Sequence, residues 1–301
     1  MNSPHQRRVI ALGFFDGVHK GHGTLLRCVT QRAAQFNAVP AALTFDRHPA
    51  SVILGRATPL LSTPDERSRL MGALYGIEDV IVAPYDREMM HTSWEDFITR
   101  FLLEQYGAVH VVAGHDFHFG YRGEGNPARL AEMCQRLGIG CDIIHPVIQD
   151  GITISSTYIR TLIAQGEMER ACSFLGHPHT LTGTVLHGKG LGSKLGFPTV
   201  NLTVPEGVII PAHGVYATRI LLDGTHYPAV TNVGIRPTVD DGDQLTVESF
   251  LLDFSGDLYD RRLVVEFHRF LRGEQKFPDL DALRQEVMRN AQQTRDYFSN
   301  P

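Results

Sequence analysis

The chain has 301 residues, of which 43% are hydrophobic and 20% charged, and its formal net charge is −5. This length suits two domains, and this composition is typical of a globular protein with well-buried cores. No dense run of Lys or Arg is present, so a nucleic-acid-binding face is not expected. The four cysteines form no C-x-x-C pair, which predicts free thiols in a reducing compartment. Because the first residues are polar and no apolar stretch is long enough to span a bilayer, we expect a cytoplasmic protein with no membrane partner.

The first half of the chain alternates short apolar runs with segments of helical periodicity. This alternation predicts an α/β fold with a Rossmann-like parallel sheet that is covered by helices on both faces. In such a sheet ligands bind beyond the carboxyl ends of the strands, so the residues after each strand matter most. The predicted strands are 9–12, 39–45, 80–83, 109–113 and 141–146, and the predicted helices are 21–36, 64–74, 93–106 and 127–137.

The character of the sequence changes near residue 180. Residues 180–270 are rich in β-branched residues, Gly and Pro and lack helical periodicity, which predicts a small antiparallel β-barrel or sandwich. A helical hinge is expected at 156–175 and a terminal amphipathic helix at about 280–298. The predicted domains are therefore residues 1–176 and 177–301. The predicted strands of the second domain include 208–210, 215–222, 226–231, 246–252 and 263–270.

Two histidines in an H-x-G-H pattern follow the first predicted strand. His19 and His22 lie where a helix is expected to begin, and a helix N-terminus offers free N–H groups and a positive dipole end to a phosphate. Imidazoles at this place can donate hydrogen bonds to a phosphoryl group during its displacement. The alternative is that one histidine caps the helix and the other is solvated. Four glycines that let backbone approach a ligand favour the phosphate site; they are Gly13, Gly17, Gly21 and Gly23.

A second segment that is dense in glycine spans residues 188–201. A Walker-type phosphate loop is rejected, because Gly190 stands where Ser or Thr would hold Mg²⁺ and the context is strand-and-turn. What remains is a flexible phosphate-covering loop followed by Thr199 and Asn201, which fall on the same face of a strand. Two hard oxygen donors at this spacing suit a Mg²⁺ whose other ligands are water and phosphate.

Several motifs, in order, resemble those of the bacterial bifunctional riboflavin kinase/FAD synthetase family. The first half matches at residues 13–22, 44–49, 114–120 and 154–160, and the second half at 188–201, 231–238, 247–254 and 271–277. The first motif is one version of the H-x-G-H signature of the nucleotidyltransferase superfamily. The resemblance covers about residues 9–298 and implies an N-terminal FMN adenylyltransferase domain and a C-terminal β-barrel riboflavin kinase domain. Small departures are Tyr158 and Ser193, where many members carry Arg, and His118, which replaces a commonly basic residue.

The resemblance also implies residue roles in FMN adenylylation. His19, His22 and Arg160 are expected to be catalytic, and the guanidinium fork of Arg160 matches phosphate oxygens. Capping of the hinge helix is an alternative role for residues 155–157, and both roles can hold at once. ATP is expected to contact Gly13, Phe14, Phe15, Asp16, Gly17, Gly21, Asp116, Ser155, Ser156 and Thr157.

In the kinase domain the resemblance implies that Glu248 is the catalytic base, accepting the proton of the ribityl 5′-hydroxyl. The alternative for Glu248 is an exposed strand carboxylate. Arg272 and Phe277 are expected to contact the flavin, since Phe can cover an isoalloxazine ring. Mg²⁺–ATP is expected to bind at Gly190, Gly192, Lys194, Thr199 and Asn201, with Thr199 and Asn201 as metal ligands.

Three other functions fit the sequence less well. An adenylyltransferase with a non-catalytic second half would be expected to lack Thr199, Asn201 or Glu248. A flavin-sensing module would be expected to lack His19, His22 or Arg160, and all of these residues are present. A zinc protein is suggested by the spacing of His115 and His118, but neither a Cys pair nor a third clustered ligand accompanies them. The expected substrates are ATP, riboflavin and FMN, with Mg²⁺ as cofactor and FAD as product. The chain is expected to act as a monomer or a weak homo-oligomer.

Overall fold

A computed structural model describes residues 6–55, 57–186, 197–238 and 242–299. The contacts between residues divide the chain into two compact units, residues 1–156 and 157–301. The hinge helices predicted within the first domain fall almost entirely in the second unit. The boundary of the catalytic domains at residues 176 and 177 stays a prediction.

The first unit contains the predicted parallel sheet. Its strand order is β3-β2-β1-β4-β5, so β1 lies at the centre and the chain changes direction across the sheet between β1 and β4. Ligands of open α/β sheets bind at such a switch point. The strands are β1 (Arg8–Leu12), β2 (Val39–Phe45), β3 (Asp79–Ala83), β4 (Ala108–Gly114) and β5 (Gly140–Ile144).

Helices cover both faces of this sheet, as predicted. Two short helices, α2 and α4, were not expected from the sequence, and the predicted helix 93–106 continues after its first turn as a π-helix at Phe97–Gln105. Ser93 caps that segment, accepting a hydrogen bond from the Asp96 N–H. The helices are α1 (Lys20–Phe36), α2 (Pro49–Leu54), α3 (Pro64–Tyr75), α4 (Arg87–His91), α5 (Trp94–Asp96) and α6 (Pro127–Leu137). The unit also contains 3-10 turns at Asp16–Val18 and Tyr121–Gly123, and a hairpin of β6 (Ile148–Gln149) and β7 (Ile152–Thr153).

The side chains of β1 alternate between two hydrophobic clusters, one on each face of the sheet. Ile10 and Leu12 belong to the cluster around the π-helix and α6, whereas Val9 and Ala11 belong to the cluster under α1 and α3. Every residue of β1 is buried. The carboxyl end of β1 is therefore held on both faces, which gives the turn that follows it a rigid base.

The second unit is built on a closed antiparallel barrel, so the structure decides between the barrel and the sandwich. The barrel order is β10-β11-β12-β9-β8-β13. Closure leaves no open sheet edge. The elements are α7 (Ser156–Ala164), α8 (Met168–Leu175), β8 (His179–Leu186), β9 (Thr199–Leu202), β10 (Gly214–Leu222), β11 (Thr225–Thr238), β12 (Gly242–Leu251), β13 (Arg262–Arg272) and α9 (Leu280–Ser299).

Two predictions for the second unit were wrong in detail. The hinge 156–175 is not one helix, because it breaks into α7 and α8 around Gly166, whose φ of 79° lies in the left-handed region. Residues 208–210 do not form a strand of the barrel and lie in the connection between β9 and β10. Val208 is buried, at 8% exposure, so the apolar run at 208–210 reflects packing of this connection rather than a strand.

The two faces of the barrel wall differ in chemistry. Inside the barrel, buried hydroxyls form a chain in which Thr231 lies 2.7 Å from Thr218 and 2.8 Å from Ser249. On the outer face, Val215 and Val230 pack with Ala291 of α9. Within the parts of the chain that the structure describes, no helix is both long and apolar enough to cross a membrane.

Candidate active sites

A strained turn follows β1 and leads into α1. Phe15, Gly17 and Val18 all have positive φ, at 55°, 75° and 43°. A Cβ on Gly13 would lie 3.0 Å from the ring of Phe15, so the turn needs glycine at that position. Left-handed backbone at non-glycine residues costs free energy and is often found at ligand sites. The carboxyl end of the central strand is thus a candidate site on geometry alone.

His19 and His22 form a stacked pair at the start of α1. Their ring centroids are 3.6 Å apart and the rings are tilted by 12°. The Nδ1 atom of His19 accepts a hydrogen bond of 3.2 Å from the His22 backbone N–H, which makes His19 the helix cap. Because Nδ1 is an acceptor, the proton of a neutral His19 is on Nε2.

His22 is not the solvated histidine of the alternative interpretation. Its Nδ1 atom is buried and has no hydrogen-bond partner among the described residues. Burial, together with the nearby charges of His19 and Arg67, lowers the pKa of His22 well below its ordinary value. At neutral pH the ring is therefore uncharged, with polar nitrogen left for a ligand.

Two glycines of α1 make room for neighbouring side chains. A Cβ on Gly21 would lie 3.1 Å from Nδ1 and Cε1 of His19, and a Cβ on Gly23 would lie 2.2 Å from the hydroxyl oxygen of Tyr75. Both distances are shorter than ordinary van der Waals contact. The glycine-rich sequence is thus needed to pack the histidine pair and α3.

Asp16 is buried, at 2% exposure, and shapes the turn. Its Oδ1 atom accepts hydrogen bonds from the backbone N–H of Leu61 at 2.8 Å and of Ser62 at 3.1 Å. Its backbone oxygen accepts a bond of 3.0 Å from the hydroxyl of Ser156. The carboxylate therefore holds the loop before α3, and its predicted contact with ATP stays a prediction.

Arg67 is a residue of this site that the sequence analysis missed. It lies on α3, is 0% exposed, and donates hydrogen bonds to the backbone oxygens of Phe14 at 2.6 Å and Phe45 at 3.2 Å. These two residues lie at the carboxyl ends of β1 and β2. No local pattern marks Arg67, because its partners are distant in the sequence.

The other predicted adenylylation residues lie at different places in the fold. Asp116 follows β4 across the switch point from β1, and its side chain is 80% exposed. Ser155 is half-buried directly before α7. Thr157 is exposed and Arg160 is half-buried on α7, within the second unit. The roles of these four residues stay predictions.

In the barrel, the strand register places the predicted kinase residues in one row. Directly opposite residues of neighbouring strands share a face and are separated by about 4.8 Å between strands. The successive partners are Asn201 with Glu248, Glu248 with Asn232, Asn232 with Val215, and Val215 with Arg272. Val215 packs with Ala291 of α9, so the row crosses the outer, helix-covered face of the barrel. Glu248 is half-buried in this row rather than an exposed strand carboxylate.

The predicted metal ligands lie at one end of the row. Thr199 and Asn201 are two residues apart on β9 and share a face, and both are half-buried. Their oxygens are hard donors, which fit a Mg²⁺ that keeps water and phosphate ligands. Three further predicted ATP-binding residues lie outside the described residues; they are Gly190, Gly192 and Lys194.

The predicted flavin-binding residues lie together at the other end of the row. The guanidinium carbon of Arg272 is 5.6 Å from the centre of the Phe277 ring. Its Nε atom also lies 3.1 Å from Asn290 and 3.3 Å from Glu286, both on α9. Arg272 is thus oriented by the terminal helix, with Phe277 beside it.

Asn232, which is paired with Glu248, and Glu274, which lies beside Gly234, had no role in the sequence analysis. Asn232 is half-buried, and its amide has no hydrogen-bond partner among the described residues. A Cβ on Gly234 would lie 2.3 Å from Oε1 of Glu274 and 3.2 Å from the Asn232 amide nitrogen. The segment after β13 therefore folds back onto β11 beside the row. The sequence could not reveal this, since it depends on the register of three strands.

The described residues contain no group of three or more His, Cys, Asp or Glu side chains that could hold a metal ion. His115 and Asp116 lie 3.9 Å apart without a third acidic, thiol or imidazole ligand near them in this part of the chain.

The first unit has a parallel sheet with a histidine pair at a helix start, and the second has a barrel with a polar row. This arrangement is consistent with an enzyme that has two sites for nucleotide phosphate chemistry. The family model of FAD synthetase matches residues 1–158, and that of riboflavin kinase matches residues 175–298. The chain belongs to the bifunctional riboflavin kinase/FMN adenylyltransferase family. It phosphorylates riboflavin to FMN and adenylylates FMN to FAD, and enzymes of these families use ATP.

Similar proteins cover nearly the whole chain. The bifunctional riboflavin kinase/FMN adenylyltransferase of Pseudomonas fluorescens is 34% identical over 93% of this chain and 89% of its own length. That of Listeria monocytogenes is 34% identical over 97% of this chain and 93% of its own length. A crystal structure from Streptococcus pneumoniae, described as a macrolide-efflux protein, is 28% identical with a TM-score of 0.85, covering 96% of this chain and 94% of that one.

Proposed function

We propose that FMN adenylylation takes place at the turn between β1 and α1, with His19 and His22 as hydrogen-bond donors to the phosphates of ATP. A phosphate oxygen of FMN attacks the α-phosphorus, and pyrophosphate leaves. The observation that carries this assignment is the buried Nδ1 of His22, which has no partner among the described residues. Nε2–H of His19 is a second donor, and the N-terminus of α1 adds its positive dipole end. Arg160 and the hydroxyls at 155–157 add the predicted contacts to the triphosphate.

For riboflavin phosphorylation we propose that Glu248 is the general base. It takes the proton of the ribityl 5′-hydroxyl as that oxygen attacks the γ-phosphorus of ATP. The register supports this role, because Glu248 lies between Asn201 on one side and Asn232 on the other. The flavin is proposed to lie toward Arg272 and Phe277, so that the row runs from the nucleotide to the flavin.

The proposed metal is Mg²⁺, held by Thr199 and Asn201. The ion offsets the negative charge of the transferring phosphoryl group when it is bound. Removing divalent cations with a chelator should stop FMN formation, and added Mg²⁺ should restore it. Asn201→Ala should raise the Mg²⁺ concentration needed for half-maximal phosphorylation, without changing that for adenylylation. Full phosphorylation in the presence of excess chelator would rule the metal out.

One assay tests both site assignments in the same chain. Purified protein receives ATP and Mg²⁺ with either riboflavin or FMN, and flavins are separated by chromatography. His22→Ala should stop FAD formation while FMN accumulates, and Glu248→Ala should stop FMN formation while supplied FMN still becomes FAD. Loss of both activities in either variant would contradict two independent sites. Matched controls are His91→Ala and Glu169→Ala, which remove an exposed imidazole and an exposed carboxylate from the same two units.

Three further predictions accompany this proposal. The catalytic domains are proposed to meet at residues 176 and 177, and the chain is proposed to act in the cytoplasm as a monomer or weak homo-oligomer. Light scattering of the purified protein across a concentration series measures the last of these directly.

A further inference from the structure

Arg67 is a fully buried cation without an acidic partner. It is 0% exposed, and no carboxylate forms an ion pair with it among the described residues. Its Nε atom is buried and has no hydrogen-bond partner in that part of the chain. Burying an unpaired charge is costly, so such a residue is retained only where other contacts offset the cost. The carboxylates of Asp16 and Asp46 act on Arg67 only through longer-range attraction, which does not outweigh the effect of burial on its pKa.

The contacts of Arg67 all lie at the base of the adenylylation site. Nη1 donates to the Phe14 backbone oxygen at 2.6 Å and to the Thr44 hydroxyl at 2.8 Å, and Nη2 donates to the Phe45 backbone oxygen at 3.2 Å. Thr44 in turn donates to the same Phe14 oxygen at 2.8 Å. The guanidinium carbon also lies 4.2 Å from the centre of the Phe14 ring. One side chain thus joins the ends of β1 and β2 to α3.

The loop just before α3 also holds the Phe14–Gly17 turn, through Ser62. Ser62 accepts a 2.9 Å hydrogen bond from the Gly17 N–H through its hydroxyl, while its own N–H donates to Asp16. Residues 61–67 are therefore hydrogen-bonded to residues 14–17 at several points. Phe15 belongs to this hydrogen-bonded turn. Its ring contacts the ring of His22 edge-on, with 5.2 Å between the ring centroids. A shift of the turn would displace the histidine.

The charge of Arg67 acts on His22. Burial lowers the pKa of Arg67 to about 10, which still leaves it protonated at neutral pH. Burial is the main cause that lowers the pKa of His22, and the charges of its stacked neighbour His19 and, from α3, of Arg67 lower it further. The nearby carboxylate of Asp16 accepts two backbone N–H bonds. Removal of the Arg67 charge should therefore make His22 easier to protonate.

We propose that Arg67 is a positioning residue for adenylyl transfer, which fixes the Phe14–Gly17 turn through its hydrogen bonds and brings a positive charge to the base of the site of His22. This proposal rests on the proposed role of His22. Arg67 touches neither FMN nor ATP in this role. It acts through the backbone of the turn and through the protonation state of the imidazole.

Two substitutions in the full chain separate the two effects. The side chain introduced by Arg67→Met is similar in length but has no charge and no hydrogen-bond donors. Arg67→Lys keeps the positive charge but loses the planar, forked guanidinium group. We expect Arg67→Met to lower the kcat of FMN adenylylation about 100-fold. Its activity should also decline at a higher pH than in the unsubstituted protein as the medium is acidified, because His22 is protonated earlier. Arg67→Lys should lower kcat about tenfold and keep the original pH profile.

Riboflavin phosphorylation, measured on the same samples, reports that the second unit is folded and should be unchanged in both variants, and a dispersed NMR spectrum of the histidines of the first unit reports that this unit is folded. The titration of His22 followed by NMR, assigned with His22→Ala, gives a readout that a merely structural role would not move. An unchanged His22 titration in Arg67→Met would overturn the proposal. So would an Arg67→Lys profile displaced as far as that of Arg67→Met. If His22→Ala retains full adenylylation, the site assignment itself fails; if it is inactive and Arg67→Met is normal, only the role of Arg67 fails.

Discussion

Gly21→Ala adds one carbon atom to the proposed adenylylation site. The added Cβ would lie 3.1 Å from Nδ1 and Cε1 of His19 and 3.6 Å from the backbone oxygen of Ile154. The imidazole must then withdraw by a few tenths of an ångström to restore ordinary contact. That ring both caps α1 and stacks on His22, so withdrawal weakens the capping bond and moves the pair. A weakened cap costs about 1 kcal/mol, and the misplaced donors should lower the kcat of adenylylation about tenfold, or about 1.4 kcal/mol.

The matched control is Gly72→Ala, which makes the same substitution in α3. There the nearest atom to the new Cβ, outside the helix's own backbone, is the backbone oxygen of Ile77 at 3.8 Å, so no neighbour has to move. Alanine should raise helix stability by up to about 1 kcal/mol and leave both activities unchanged. Initial rates of FAD formation from FMN and of FMN formation from riboflavin are measured for both variants. A normal adenylylation rate in Gly21→Ala would refute the assigned role of the His19 position.

Three further outcomes are expected. Asp142 accepts bonds from Arg32 at 2.6 Å and His110 at 2.9 Å, and the Arg32 bond, ahead of that of His110, lowers the pKa of Asp142 from 3.8 to about 2. This shift contributes roughly 2 kcal/mol to the free energy of unfolding above about pH 4, and the contribution is lost as the pH falls toward 2. Urea unfolding at several pH values should show a weaker acid dependence for Asp142→Asn than for the unsubstituted protein. Equal acid dependence in the two proteins would contradict this role of Asp142. Thr231→Val breaks the buried hydroxyl chain and should destabilise the barrel by about 1–3 kcal/mol in thermal unfolding, whereas an unchanged transition would show that the chain contributes nothing. Asn232→Ala should slow riboflavin phosphorylation about tenfold at unchanged stability and adenylylation, and a normal phosphorylation rate would remove Asn232 from the site.

Short-range signals in the sequence predicted most of the secondary structure of the first unit and the position of one candidate active-site motif. The alternation of apolar runs and helical segments predicted the parallel sheet, because each element's periodicity is a local property. The position of His19 and His22 between β1 and α1 followed from the same periodicity. Thr199 and Asn201 share a strand face because they are two residues apart. The substrate, a flavin, came from the family resemblance rather than from any of these spacings.

Only the tertiary structure decided which distant residues meet. Barrel closure and the strand register place Glu248 between Asn201 and Asn232, and no local pattern specifies a register. Arg67 meets the Phe14 oxygen across 53 residues of chain, so its role could not be read from its own segment. The sequence by itself located the candidate phosphate site at the start of α1, because helix starts and glycine turns are encoded locally. What keeps His22 uncharged and the histidine pair in place depends on burial and on long-range contacts, which exist only once the chain is folded.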